Sequence, residues 1–327
     1  MLYELIDGIK TLSVIGMCKN AGKTTVLNSL IGECESRGEI LGLTSIGRDG
    51  ERSDLVTNTK KPEIFVRGGA VIATAESLLR ECDISMEILS STGIPTPMGD
   101  IIIVRARSSG YVQIGGASIT AYQQLVRDEL FGFGCGRVFI DGAISRKSLG
   151  NPSLADGVVL SSGASYDPSI AKTVTDTAYI ARLFSLPEIG IAPGPARFTA
   201  IRGGESESSE ELDALVPFLK GGADRLVIRG AVTDGTAAQL SNIGKLLRNT
   251  VLAAEDASRL LLKPASFEKL TRFAGFAVLK GTRLIAVTVN PFSAYGLHYN
   301  KNEFRERVCE ALELSGVSVP VMDVKDA

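Results

Sequence analysis

The chain has no tryptophan, a single histidine, five cysteines in no regular spacing and a net charge of only -2. Each shortage excludes something. With His298 as the lone imidazole, three-histidine metal sites are excluded, and most histidine-based catalysis, a Ser-His-Asp triad included, is disfavoured. Cys18, Cys34, Cys82, Cys135 and Cys309 are odd in number and lack CxxC spacing, which argues against a disulfide framework or a zinc site and for reduced, buried thiols. Because 35 basic residues face 37 acidic ones, no global field draws the chain to nucleic acid or an anionic membrane, and neither is expected as a partner. No apolar run approaches the length of a membrane span. Glu4, Asp7 and Lys10 interrupt the short apolar stretches at the start, where no leader-like segment is read, so a cytoplasmic location is expected.

What the chain does have is apolar content, 44% of its 327 residues, and 35 glycines. Short Val/Ile-rich runs end in glycine-containing turns and are followed by helical periodicity, which predicts a three-layer α/β/α fold around a mainly parallel sheet. The first unit is the clearest. A strand is predicted over 11–15, a helix over 23–37 with Val26, Leu27, Leu30 and Ile31 inward and Gly38 as its stop, and a strand over 41–46. From about 47 to 116 the pattern becomes short strands broken by Gly68-Gly69, Pro95, Pro97 and Gly99, and reads as an inserted β-rich segment. The βα pattern resumes with a helix over 120–131, strands over 138–140 and 158–160, and a helix over 168–184. Pro187, Pro193, Gly194 and Pro195 form the one candidate boundary, so the chain reads as a single domain over 1–327 with room for a second lobe over 190–327. The acidic-serine run 205–211 reads as a solvated helix start.

The strongest chemical signal is Gly16-Met17-Cys18-Lys19-Asn20-Ala21-Gly22-Lys23-Thr24-Thr25, between the first strand and the first long helix. Glycine lets backbone N–H groups close on phosphate oxygens, the helix N-terminus adds positive potential, and Lys23 supplies a mobile charge near the β and γ phosphates. Thr24 offers the hydroxyl that ligates Mg²⁺. The usual pattern puts its first glycine five residues before the Gly-Lys pair, where this chain has Met17 and the glycine has moved to Gly16. ATP or GTP with Mg²⁺ is the expected ligand.

Further candidates follow from the sheet. Asp141, in Arg137-Val138-Phe139-Ile140-Asp141-Gly142-Ala143, is a carboxylate at a buried strand's end, suited to organising the metal; the alternative is a turn aspartate. Arg146 follows it. Asp49, with Glu51 in reserve, follows the second strand and is a candidate for positioning water or metal, or else simply builds an Asp-Gly turn. Lys19 can face a phosphate of its own nucleotide, one across a homodimer, or solvent. Asn290, ending the apolar run 284–290, can read a purine edge or close a turn. Arg105 and Arg107, at alternating positions, either clamp a substrate carboxylate or are surface charges. A thiolate-favouring helix N-terminus makes Cys18 a candidate low-pKa thiol.

The run Gly22-Lys23-Thr24-Thr25 with Asp49 and Asn290-Pro291 resembles the P-loop class that includes dethiobiotin synthetase, the molybdopterin-guanine dinucleotide accessory protein and the ParA/MinD-type ATPases. The double-glycine signature of the ParA/MinD proteins is missing. Together with 16–24, the segments Asp141-Gly142-Ala143-Ile144-Ser145-Arg146, Leu160-Ser161-Ser162-Gly163-Ala164 and Thr288-Val289-Asn290-Pro291 resemble the P-loop subunits of lysine 5,6-aminomutase reactivases. That resemblance implies nucleotide turnover in service of a B12-dependent aminomutase of lysine fermentation, alongside a MutS-like ATPase. The residues alone support three readings: an NTPase switch acting on a partner, with 47–116 as its moving element; an ATP-dependent ligase or kinase for a small carboxylate or hydroxyl substrate; and a module that holds nucleotide without turnover.

Overall fold

The computed structural model describes residues 2–46, 63–143, 151–323 and 325. In chain order the strands are β1 (Thr11–Gly16), β2 (Leu41–Ser45), β3 (Ile64–Val66), β4 (Val71–Ala75), β5 (Met86–Ser91), β6 (Ile101–Ala106), β7 (Gly110–Val112), β8 (Arg137–Ala143) and β9 (Gly157–Gly163). They continue with β10 (Phe198–Arg202), β11 (Glu205–Ser209), β12 (Arg225–Ile228), β13 (Val232–Thr233), β14 (Val251–Ala254), β15 (Leu260–Leu261), β16 (Gly275–Val278), β17 (Arg283–Asn290) and β18 (Val321–Asp323). The helices are α1 (Leu2–Leu5), α2 (Lys23–Ser36), α3 (Thr120–Gly132), α4 (Ile170–Phe184), α5 (Val216–Lys220), α6 (Asp234–Asn242), α7 (Pro264–Thr271) and α8 (Lys301–Leu314).

The chain divides into two compact units, one of 1–181 with 283–327 and one of 182–282. The first is an α/β unit on a sheet of order β18-β17-β9-β1-β8-β2-β4-β6-β5. All pairs from β18 to β4 are parallel, while β6 and β5 run antiparallel at one edge. Helices cover both faces. Val26, Leu27, Leu30 and Ile31 of α2 share one core cluster with Leu12, Val14, Leu41, Leu43 and Phe139. Gly42, between Leu41 and Leu43, faces the other way, where a Cβ would come within 3.1 Å of Leu130 on α3. Each leucine or isoleucine that α2 buries contributes about 1.5–3 kcal/mol.

Two expectations change here. The strands of the 47–116 segment are not a separate insertion, because β4, β6 and β5 complete the main sheet; β3 and β7 form a small antiparallel pair beside it. Residues 283–327, grouped by sequence with a second lobe, return to the first unit, since β17 pairs along its length with β9. An alternating apolar and polar run looks alike at a sheet edge and in a free-standing hairpin, so only long-range pairing tells them apart.

The second unit has a sheet of order β11-β10-β12-β14-β16, with β12, β14 and β16 parallel and β10 and β11 antiparallel. The run 205–211 is not a helix start: Glu205–Ser209 is the edge strand β11, joined to β10 by Gly203 and Gly204 at φ 53° and 96°. Two glycines at positive φ match the twist of a two-residue hairpin. Among the described residues no helix is long and apolar enough to cross a membrane.

Near the carboxyl end of β2, the backbone of 115–117 lies against the strand so closely that a Cβ on Gly116 would stand 1.8 Å from the Ser45 carbonyl oxygen. The buried Gln123 amide of α3 locks this approach by donating to the Ala117 carbonyl at 2.9 Å and to that of Ser45. Gly116→Ala is expected to lower stability by about 2–3 kcal/mol in urea unfolding; an unchanged midpoint would contradict this packing.

Candidate functional site

β1 lies in the interior of the first sheet, with β8 on one side and β9 on the other. The chain that leaves β1 crosses to β2, and later returns to fill β8 and β9 on either side, so the carboxyl end of β1 is a point where strand order reverses. Such crevices are where open α/β sheets bind ligands. The loop 17–22 sits there.

Its path is set locally. The Met17 N–H donates to the Ser161 carbonyl at 2.8 Å, which carries the strand ladder one residue past β1. Met17 is buried and is not among the residues at positive φ, so the position does not require glycine. The left-handed positions of the loop are Asn20 at φ 62° and Gly22 at φ 97°. Glycine adopts that region freely and asparagine tolerates it. The Val26 N–H then donates to the Gly22 carbonyl at 3.1 Å and α2 begins.

The displaced glycine has a steric reason. A Cβ on Gly16 would meet Lys23 Cδ at 2.7 Å, Cγ at 2.8 Å and Nζ at 3.0 Å, so the lysine lies back across the end of β1 in the space that glycine leaves. No side chain caps the α2 N-terminus at Gly22, and its first turn carries no acidic residue. Its leading N–H groups and the positive end of the helix dipole are thus not offset by a local carboxylate. Lys23, Thr24 and Gly22 are half-buried, Ala21 is buried, and Lys19 and Thr25 are exposed.

Register places Asp141 on the same face. Gly16 is level with Ala143 and Val14 with Asp141, so the Asp141 side chain leaves β8 on the α2 side of the sheet, one pleat below the position of Gly16. Sequence and structure therefore bring Lys23, Thr24 and Asp141 to one sheet face at one edge. Asp49, Glu51 and Arg146 lie outside the described residues.

Asn290 contributes through the loop. Its amide donates to the Asn20 carbonyl at 3.0 Å and its side-chain oxygen accepts from the Phe292 N–H at 3.2 Å, bridging the end of β17 to the left-handed turn. Gly163, which composition did not single out, makes room for this bridge: a Cβ there would lie 3.1 Å from Ala21 Cα and 3.2 Å from the Asn290 carbonyl oxygen. The signal available was a glycine directly after the Ser161-Ser162 pair of β9. Thr288 donates to Ser161 at 2.9 Å, and Ser162 and Thr177 hydroxyls meet at 2.6 Å, so those serines are held by the scaffold. His298 Nδ1 accepts from the Ser293 N–H at 3.1 Å and serves the loop after β17.

Two candidates leave the site. Arg105 is level with Val71, the first residue of β4, which puts it at the amino edge of the parallel strands, away from the loop, where it donates to the Phe133 carbonyl at 3.1 Å. Arg107 pairs with Glu87. Neither forms a carboxylate clamp. Cys18 is not a low-pKa thiol: burial pushes it up to about 11, and the nearby Lys23 ammonium offsets this only in part.

If the loop binds the nucleotide that its sequence leads one to expect, Gly16→Ala is expected to displace Lys23 and weaken that affinity at least about tenfold with an unchanged circular dichroism spectrum, read by titration with a fluorescent nucleotide. At Cys18, alkylation is expected to stay slow at neutral pH and to accelerate as pH rises toward about 11, because only the thiolate reacts; a rate already maximal at pH 8 in peptide mapping would contradict the burial argument. Neither a protein-family model, nor a curated protein, nor a solved structure matches the chain.

Proposed function

We propose that the chain is a Mg²⁺-dependent nucleoside triphosphatase, using ATP or GTP in the cytoplasm to act on a partner protein. The observation that supports this most is Lys23 folded over Gly16 at the uncapped N-terminus of α2, a cationic, donor-rich cradle at the carboxyl end of an interior strand. In this reading the backbone N–H groups of 20–25 bind the β and γ phosphates, and Lys23 neutralises charge that grows on the γ-phosphoryl group.

The residues fit a metal that arrives with the nucleotide. Thr24 is the second residue of α2 and Asp141 lies on the same sheet face, while among the described residues no cluster of three His, Cys, Asp or Glu side chains forms a cage of its own. A hard cation that keeps waters and phosphate oxygens needs only one or two such protein ligands. Thr24 and Asp141 would hold such a Mg²⁺, which would supply charge neutralisation at the phosphates. Asp49 is proposed to orient the attacking water.

The partner reading draws on the loop after β17, where Phe292, Tyr295 and Leu297 are exposed on a segment tied to the phosphate loop through Asn290. The resemblance to aminomutase reactivases suggests a B12-dependent lysine 5,6-aminomutase and a MutS-like ATPase as partners. Small carboxylates remain the comparison substrates, since a ligase or kinase would couple the same cradle to one of them.

Phosphate release from ATP and GTP with Mg²⁺ tests the proposal. Lys23→Ala is expected to reduce turnover by about 100-fold, and Asp141→Asn to reduce Mg²⁺-dependent turnover while nucleotide still binds. Stimulation by the aminomutase or the MutS-like protein supports the switch; stimulation only by a small carboxylate favours a ligase; binding without turnover in every condition refutes hydrolysis.

A further inference from the structure

The second unit holds a cleft of about 650 Å³ whose lining includes Arg197, Glu210, Arg229, Thr233, Glu255 and Arg259. Its position follows from the strands. Arg229 and Gly230 leave the carboxyl end of β12 and Glu255 that of β14, two neighbouring parallel strands. Arg197 precedes β10 and Glu210 follows β11, and because β10 runs antiparallel to β12 and β11 antiparallel to β10, the start of β10 and the end of β11 both lie at that end. The cleft therefore lies at the carboxyl ends of the parallel strands β12 and β14, the edge at which open α/β sheets commonly take ligands.

The charges in the cleft are not equivalent. Glu255 accepts from the Gly230 N–H at 2.8 Å and lies 3.5 Å from Arg259 Nε, so that carboxylate is already engaged with a donor and a cation. Arg197 and Arg229 are anchored differently. Arg197 donates to the Thr236 hydroxyl at 3.3 Å, and Arg229 to the carbonyls of Pro195 at 3.0 Å and Gly194 at 3.3 Å. These acceptors are uncharged, so each guanidinium is oriented by one end while its charge and remaining donors stay available. Thr233, also in the lining, is the N-cap of α6; its hydroxyl accepts from the Thr236 N–H and Asp234 stands in the first turn, so that helix end is already satisfied and the arginines carry the positive charge. Two oriented guanidinium forks match the planar, multiply accepting geometry of a carboxylate or phosphate. The volume is that of a small-molecule site.

We propose that this cleft binds the oxyanionic group, carboxylate or phosphate, of a small polar molecule, with Arg197 and Arg229 as its charged donors. The site lies wholly within 182–282 and is independent of the nucleotide reading. Glu210 sets its selectivity: a carboxylate in the lining disfavours ligands of higher negative charge.

Calorimetric titration of the full chain with inorganic phosphate, glycerol phosphate and succinate, at low salt, tests this in wild type and in Lys23→Ala, Arg197→Ala, Arg229→Ala and Glu210→Gln. Binding tighter than about 1 mM that survives Lys23→Ala, falls about tenfold or more in either arginine variant, and tightens in Glu210→Gln is the expected result. Which probe binds distinguishes a phosphate source from a carboxylate source. Loss of binding in Lys23→Ala with the arginine variants unchanged would assign the anion to the phosphate loop and overturn the proposal. Absence of binding by all three probes would also overturn it. Should an arginine variant lose its folded circular dichroism spectrum, Glu210→Gln and Arg197→Lys carry the test, the first expected to tighten and the second to weaken binding.

Discussion

The candidate site depends on one close approach. The aliphatic chain of Lys23 occupies the volume that a Cβ at residue 16 would take, so the first helical residue of α2 reaches back over the last residue of β1. That contact sets an ammonium at the start of a helix whose first turn carries no acidic residue of its own, with Asp141 on the same sheet face. Everything around it serves to hold β1 and α2 at that distance. Leu12 and Val14 beneath the helix share a cluster with Val26, Leu27 and Leu30, and interiors packed at crystal-like density do not let such a helix drift. The loop between them is pinned from β9 through Ser161 and from β17 through Asn290.

Both units use the same device at different strands. In each, parallel strands deliver loops to a carboxyl edge where basic side chains stand: Lys23 at the uncapped start of α2, and Arg197 and Arg229 near the capped start of α6. The difference is in how the charge is presented. A lysine on a flexible stem follows a phosphate as a point charge, whereas guanidinium groups tied to carbonyls and a hydroxyl hold a fixed fork.

Much of the first unit was legible along the chain. The alternation of buried strand and amphipathic helix around residues 11–46 involves neighbours in sequence, and the inward residues of α2 were read correctly from spacing. Less legible were features that arise between distant segments. The run 205–211 is hard to read as a strand because an exposed edge strand need not be apolar, and the turn that makes it one lies in the glycine pair Gly203-Gly204 before it. For Arg105, spacing left a substrate clamp and a surface charge both open, and antiparallel pairing decides against the clamp by carrying it to the opposite sheet edge. Cys18 looked activated by a helix N-terminus, whereas burial acts more strongly on its thiol.

By itself the sequence determined the α/β class and the strand-loop-helix context of Lys23, because these rest on propensity and on contacts within one turn of chain. Tertiary structure alone decided that Gly16 must be small, that Gly163 clears the way for the Asn290 bridge, that Asp141 shares a face with Lys23, and that 283–327 rejoin the first sheet. It also gathered Arg197, Arg229 and Glu255 into one cleft. The physical reason is that strand register and sheet order are set by hydrogen bonds between segments up to hundreds of residues apart, and no local pattern encodes which edge or face a side chain then occupies.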